Sequence, residues 1–159
     1  MKAVVIYDSQ FGNTEKIAQT IRDALSDAAE TRLMRASSVA PRDLMAADLL
    51  VVGSPTQRFH ATEPVDRFLK GASLRGMRVA AFDTRFDMDD VDSRALRLAV
   101  KVAGDSAYAA PRIAAVLEKA GATIVAAPEG FIVTDTEGPL REGELERAAE
   151  WARGLLTAS

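Results

Sequence analysis

The chain has 159 residues, 48% hydrophobic and 27% charged, with a formal net charge of -3 at pH 7: enough for one domain with a real core, expected over 1–159, and short for two. The absence of cysteine excludes disulfides, thiolate catalysis and cysteine-held metal or iron–sulfur centres, and a single histidine, His60, excludes multi-histidine metal sites. There is no basic stripe to suit nucleic acid and no apolar stretch near the roughly 18 residues that span a bilayer, and the start Met1-Lys2-Ala3-Val4 lacks signal-peptide anatomy, so a cytoplasmic protein is expected.

In chain order, four short apolar runs stand out: Ala3–Tyr7, Leu49–Gly53, Val79–Phe82 and Thr123–Ala127. Each is too short for a helix, apolar without alternation and followed by turn residues, as strands buried on both faces of a parallel sheet read. Thr31–Arg35 alternates polar and apolar and predicts an edge strand. Helical spacing fills the gaps. Thr14–Ala28 places Ile17, Ile21, Ala24, Leu25 and Ala28 on one stripe. Pro64–Lys70 turns Val65, Phe68 and Leu69 inward. Pro111–Ala120 turns Ile113, Val116 and Leu117 inward and stops at Gly121. The last helix, about Gly143–Leu156, buries Leu145, Ala148, Trp151 and Leu155. Phe86–Asp105 reads as a long loop with one helical turn or two. Strand–helix alternation of this kind predicts a three-layer α/β domain with right-handed crossovers.

In such sheets ligands sit at the carboxyl ends of the strands, where strand order reverses. The first strand leaves through Tyr7-Asp8-Ser9-Gln10-Phe11-Gly12-Asn13-Thr14, a stretch with little for a core and many hydrogen-bonding groups. Gly12 permits a tight turn with close backbone approach. Asn13 and Thr14 open a helix whose free N–H groups and dipole favour an anion, and Ser9, Asn13 and Thr14 side chains can complete a phosphate cradle of neutral donors. Taken alone, the same residues also suit a plain turn and cap. Neither G-x-x-x-x-G-K-[ST] nor G-x-G-x-x-G is present, and the third strand ends in Gly53-Ser54 where a phosphorylated receiver domain would carry aspartate.

The stretch Ser9-Gln10-Phe11-Gly12-Asn13-Thr14 resembles the phosphate loop of flavodoxins, roughly [ST]-x-[TYF]-G-N-T. The resemblance extends along the chain: Gly53-Ser54-Pro55-Thr56 leaves the third strand where the family's first flavin loop begins, and Phe82-Asp83-Thr84-Arg85-Phe86 leaves the fourth at the second. The tail Phe131-Ile132-Val133, Gly138-Pro139-Leu140 and a helix with Trp151 is similar too. It implies a flavodoxin-like, doubly wound α/β domain with a five-stranded parallel sheet of order 2-1-3-4-5, FMN as cofactor, and electron transfer to a redox partner protein or a small electron acceptor.

On that resemblance Ser9, Gln10, Phe11, Gly12, Asn13 and Thr14 take the phosphate. Ser54, Pro55, Thr56, Gln57, Phe59 and His60 lie along the ring, with Phe59 or His60 stacking on one face. Asp83, Thr84, Arg85 and Phe86 serve the other side, Phe86 by stacking or rimming and Thr84 and Arg85 through backbone at the pyrimidine edge. No residue is expected to be catalytic and none to bind metal. The loops depart from electron-carrying flavodoxins in offering Phe and His for Tyr or Trp, in lacking glycine over Gln57–Ala61, and in carrying Arg58 and Arg85. A cation near N1 and O2 of the ring would favour its reduced anion by about one or two kcal/mol, on the order of tens of millivolts. The acidic run Asp87–Asp92 lacks the spacing of a calcium loop and offers a face for a basic redox partner. An FMN-dependent oxidoreductase of the quinone-reductase or protoporphyrinogen-dehydrogenase type, and a non-redox protein-binding domain, share this fold and stay open.

Overall fold

The computed structural model describes residues 1–158. Six parallel strands, β1 (Lys2–Tyr7), β2 (Glu30–Arg35), β3 (Leu49–Pro55), β4 (Arg78–Phe86), β5 (Thr123–Ile124) and β6 (Glu129–Val133), form one sheet of order β2-β1-β3-β4-β5, with β6 also paired to β4. The helices are α1 (Asn13–Ser26), α2 (Glu63–Gly71), α3 (Arg94–Ala103), α4 (Ala109–Lys119) and α5 (Glu144–Thr157).

Strand alternation divides the core into two layers. Val4, Ile6, Leu50, Val52, Val79 and Ala81 pack on the face covered by Val65 and Leu69 of α2 and Ile113 and Leu117 of α4. Ala3, Val5, Leu49, Val51, Ala80 and Phe82 pack on the other, against Ile17, Ile21 and Leu25 of α1 and Ala148, Ala152 and Leu155 of α5. Burial on both faces is why β1, β3 and β4 are continuous apolar runs. β2, with one paired edge, keeps its polar alternation.

The expected order 2-1-3-4-5 holds, but the fifth position is shared. β5 stops at Ile124 rather than Ala127, and β6 resumes the ladder. Between the pairs Val79↔Ile124 and Phe82↔Glu129, β4 advances three residues while its neighbour advances five. Pro128 has no N–H to give the ladder, and the surplus bulges there, with Val125 and Ala126 packed on the layer under α1 and α5. The segment Phe86–Asp105 departs further from expectation: it contains the ten-residue helix α3, started by Ser93, whose Oγ accepts from the Leu96 N–H (3.2 Å). Three side chains expected to point inward do not. Val116 and Leu145 are 45% and 40% exposed, on the outer edges of their helical stripes. Ala28 lies past the end of α1, which stops at Ser26, and is exposed. Trp151 is half-buried and meets Phe82 and Phe131 edge-on, at 6.3 and 6.1 Å between ring centres.

Candidate functional site

At the carboxyl ends of β1, β3 and β4 lies a cleft of about 670 Å³, a size typical of small-molecule sites. Its first wall is the β1–α1 loop. Gly12 sits at φ 94°, a conformation open to glycine, and its N–H donates to Ser9 Oγ (3.1 Å), closing the loop on itself. No side chain caps α1, so the first-turn N–H groups are left for whatever occupies the cleft. Asn13 and Thr14 are buried. The Thr14 hydroxyl lies 2.7 Å from that of Thr84, tying the loop to the end of β4. Asn13 is held from above by Gly138, at φ 103°, where a Cβ would fall 2.6 Å from Asn13 Oδ1.

The loop is also braced from the β2 side. Arg35 donates to Glu15 Oε2 (2.8 Å) and to the Ser9 carbonyl (3.3 Å), lies 3.5 Å from Asp8 Oδ1, and sits over the Tyr7 ring. Tyr7 donates to the same Glu15 oxygen (3.0 Å); burial, then that carboxylate, pushes its phenol pKa up. The Arg35 guanidinium is thus shared between two carboxylates, and the cradle itself is made of neutral donors. Sequence spacing gave no sign of Arg35, because its contact with the loop depends on strand pairing, Tyr7 opposite Arg35.

The second wall is the β3–α2 loop. Gln57 and His60 exchange both backbone hydrogen bonds (2.8 and 2.9 Å) around a tight turn in which Arg58 and Phe59 both have positive φ. The Gln57 amide donates to Gln10 Oε1, bridging the two walls. The Thr62 hydroxyl, on the same wall, is a buried side-chain group with no partner. The third wall is Thr84 and Phe86.

Of the sixteen expected site residues, Ser9, Gln10, Phe11, Asn13, Thr14, Pro55, Thr56, Gln57, His60, Thr84 and Phe86 line this cleft, and Gly12 shapes its loop. Four do not line it. Ser54 is fully buried: its Oγ accepts from the Thr62 N–H (3.0 Å) and donates to the Pro55 carbonyl (2.9 Å). Phe59 is half-buried in its turn. Asp83 and Arg85, on the opposite face of β4 from Thr84, form a two-pronged ion pair (2.7 Å each). Asp83 Oδ2 also accepts from the Ala110 N–H (2.8 Å) at the start of α4, and Arg85 lies 3.7 Å over the Tyr108 ring. Burial pushes the Asp83 carboxyl up, against the pull of Arg85 and the Ala110 N–H. The free Arg85 cation expected beside the ring is therefore a neutralised pair on the other side of the strand. Thr56 works twice, with a place on the cleft and an Oγ1 that accepts from the Ala109 N–H (2.9 Å).

Arg58, noted in the sequence as a cation of the first flavin loop, lines the cleft, and Ala61, Thr62, Glu63 and Thr136 line it without having been singled out. Thr136 was findable in principle: Asp135–Gly138 is a polar turn directly after a strand. The acidic loop after Phe86 is less free than its composition suggests, because Arg141 takes Asp87 and Asp90 (2.9 Å each). Its hydrogen bond to Asp87 lowers that carboxyl below the usual range.

An uncapped helix start, a glycine-turned loop and facing hydroxyls suit a phosphate, and a slot with Phe86, Phe11 and His60 at its edges suits a flat apolar ring. The model of the Flavodoxin family matches residues 5–151. A flavodoxin of Aquifex aeolicus (strain VF5) is 35% identical over 69 residues, 42% of this chain, and the match spans 37% of that protein. A solved flavodoxin from the domain Archaea superposes with a TM-score of 0.75 at 21% identity, covering 98% of this chain and 96% of the other. Flavodoxin 2 from Bacillus cereus gives 0.74 at 22%, covering 98% of each. A short-chain flavodoxin associated with a non-canonical PDU bacterial microcompartment gives 0.72 at 23%, covering 100% and 99%. These structures share the fold, and the family match covers most of the sequence: the chain belongs to the flavodoxin family, whose cofactor is FMN.

Proposed function

We propose that the chain works as one FMN-binding unit that carries electrons in the cytoplasm, between proteins or to a small acceptor. The observation that supports this most is the uncapped start of α1 behind Gly12, opening onto a cleft whose other two walls are the β3–α2 loop and the end of β4. Ser9, Thr14 and the N–H groups of Gln10, Phe11, Asn13 and Thr14 hold the phosphate, with the helix dipole adding to neutral donors. Gln57 and Gln10 close the slot above it. His60 and Phe86 supply faces for the ring, and backbone groups of the Gln57–His60 turn and of Thr84 supply its polar edge. Bound FMN supplies the reversible gain and loss of electrons. The protein's part is to bind, orient and shield.

The test is a titration of the purified protein with FMN and, in parallel, riboflavin, followed by flavin fluorescence and the visible spectrum. FMN binding at least a hundredfold tighter than riboflavin is expected, because the phosphate contacts carry several kcal/mol through charge-assisted hydrogen bonds. Equal affinities would reduce the loop to a turn, and binding of neither would remove the electron-transfer reading with it. Rapid NAD(P)H-driven quinone turnover by the loaded protein would move the reading from carrier to enzyme.

A further inference from the structure

α3 is an unusual helix for a protein of this size. Eight of its ten residues are exposed, and only Val100 is buried. Leu98 and Val102 stand one turn apart, 63% and 81% exposed, and helical spacing sets Ala95 and Ala99 beside them. Arg94, Arg97 and Lys101 follow at i, i+3 and i+7, so they form a second stripe bordering the apolar one. The helix contains no acid. None of the three cations has a carboxylate partner among the described residues, whose ion pairs lie elsewhere. Nearby Asp87 and Asp90 are taken by Arg141. Three like charges on one stripe destabilise an isolated helix, and an apolar stripe in water contributes nothing to it. The sequence keeps both.

Position adds to this. α3 leaves the sheet just after Phe86, a cleft residue 37% exposed, and returns at Tyr108, which stacks on Arg85 at the end of β4. The connection that carries it thus begins at the cleft residue Phe86 and ends beside the carboxyl end of β4.

We propose that α3 is a docking surface for an acidic protein that presents an apolar ridge flanked by carboxylates. This rests on the electron-transfer reading only in naming the docked protein as the one that exchanges electrons at the neighbouring cleft. A second copy of this chain fits poorly: α3 against α3 sets cationic stripe beside cationic stripe, and one helix of ten residues, about 15 Å long, falls short of the roughly 800 Å² per side of a stable dimer. A transient, charge-steered partner needs less area. An anionic membrane fits poorly as well: a flat lipid surface would meet Asp89 and Asp92, beside the start of the helix, together with the cations, whereas a protein ridge can meet the stripe alone.

The probe is a labelled helical peptide of about 15 residues made of leucine and glutamate, leucines at i, i+3, i+4 and i+7, with a counterpart carrying lysine for every glutamate. Fluorescence anisotropy at low salt is expected to give at least tenfold tighter binding of the glutamate peptide, weakening as salt rises. A Leu98→Ser/Val102→Ser variant, and an Arg94→Glu/Arg97→Glu/Lys101→Glu variant, should each lose tenfold while keeping wild-type FMN affinity. The protein stripped of FMN should bind the peptide equally, so a failed flavin reading leaves this test readable. Equal binding of both peptides, or variants that bind as wild type does, overturns the proposal. So does a concentration-dependent dimer, by sedimentation velocity, that Leu98→Ser/Val102→Ser dissolves. Tighter binding to phosphatidylglycerol vesicles than to the glutamate peptide also overturns it.

Discussion

Arg58 and Phe59 hold φ of 48° and 71° in the turn that walls the cleft, a region where a side chain costs roughly 1–2 kcal/mol per residue. The paired backbone bonds of Gln57 and His60 over-determine the turn and keep it there. Turns with both central residues at positive φ favour Asn-Gly. Arg58→Asn/Phe59→Gly is therefore expected to raise stability by about 1 kcal/mol, after the 0.5–1 kcal/mol that glycine loses through its freer unfolded chain. The urea midpoint reads this directly, and a lower midpoint would mean that Phe59 packing outweighs its strain. The opposite sign applies at Arg85, whose side chain is 19% exposed. Arg85→Ala leaves the buried Asp83 carboxylate with only the Ala110 N–H and the Thr56 hydroxyl, a loss of about 3–5 kcal/mol. Burial already raises the Asp83 pKa, and without Arg85 it rises further. A carboxyl with a raised folded pKa is protonated there before it is in the unfolded chain, so the deficit is small below about pH 4 and grows as pH climbs toward the raised value. Denaturation at pH 4 and pH 7 separates the two cases; an equal deficit at both would discard the uncompensated charge as its cause.

Among the elements, those buried on both sides were legible and those hanging from one edge were not. β1, β3 and β4 announced themselves because every residue from Val4 to Ile6 and from Leu49 to Val52 is buried, which leaves no polar positions to blur the run. α3 was read as loop because its apolar residues face water: periodicity signals a helix by the side it buries, and α3 buries only Val100. The cradle was legible because its residues are consecutive. Arg35, Thr84 and Gly138 reach it through pairings that only the folded sheet creates. Gly138 gives the sharpest element-level test. A Cβ there enters the space of Asn13 Oδ1 and Nδ2, at 2.6 and 2.9 Å, in a backbone conformation that side chains avoid. Gly138→Ala is expected to push Asn13 out of place and weaken FMN binding about tenfold, a loss of some 1.4 kcal/mol, with riboflavin affinity little changed if, as proposed, the displaced group serves the phosphate. A fall in both affinities alike would place Asn13 at the ring instead.

At the scale of the whole molecule, the last third of the chain locks the other two. β6 lies along the cleft end of β4, α5 packs on α1, and Phe82, Phe131 and Trp151 join sheet to helix. One charged clamp holds this closure. Glu144, 6% exposed, accepts from the Ile132 N–H (2.6 Å) and from Arg147 (2.7 and 2.9 Å), while Arg147 also reaches Glu129 (2.7 Å) and the Gly130 carbonyl and lies over the Phe131 ring. Burial alone would raise the Glu144 carboxyl, but the Arg147 guanidinium and the Ile132 N–H outweigh it and hold the pKa below the usual glutamate value. A depressed folded pKa means that the stabilisation is complete above the unfolded value, about 4.3, and drains away as pH falls through the folded one. Glu144→Gln keeps the shape and removes the charge, at a cost of about 1.5–3 kcal/mol near neutrality. The variant should lose stability less steeply than the wild type below pH 4, so that the two urea midpoints converge as the acid titrates. Midpoints that stay parallel from pH 7 down to pH 3 would show that β6 and α5 are held by their apolar contacts, with the clamp contributing nothing that protonation can remove.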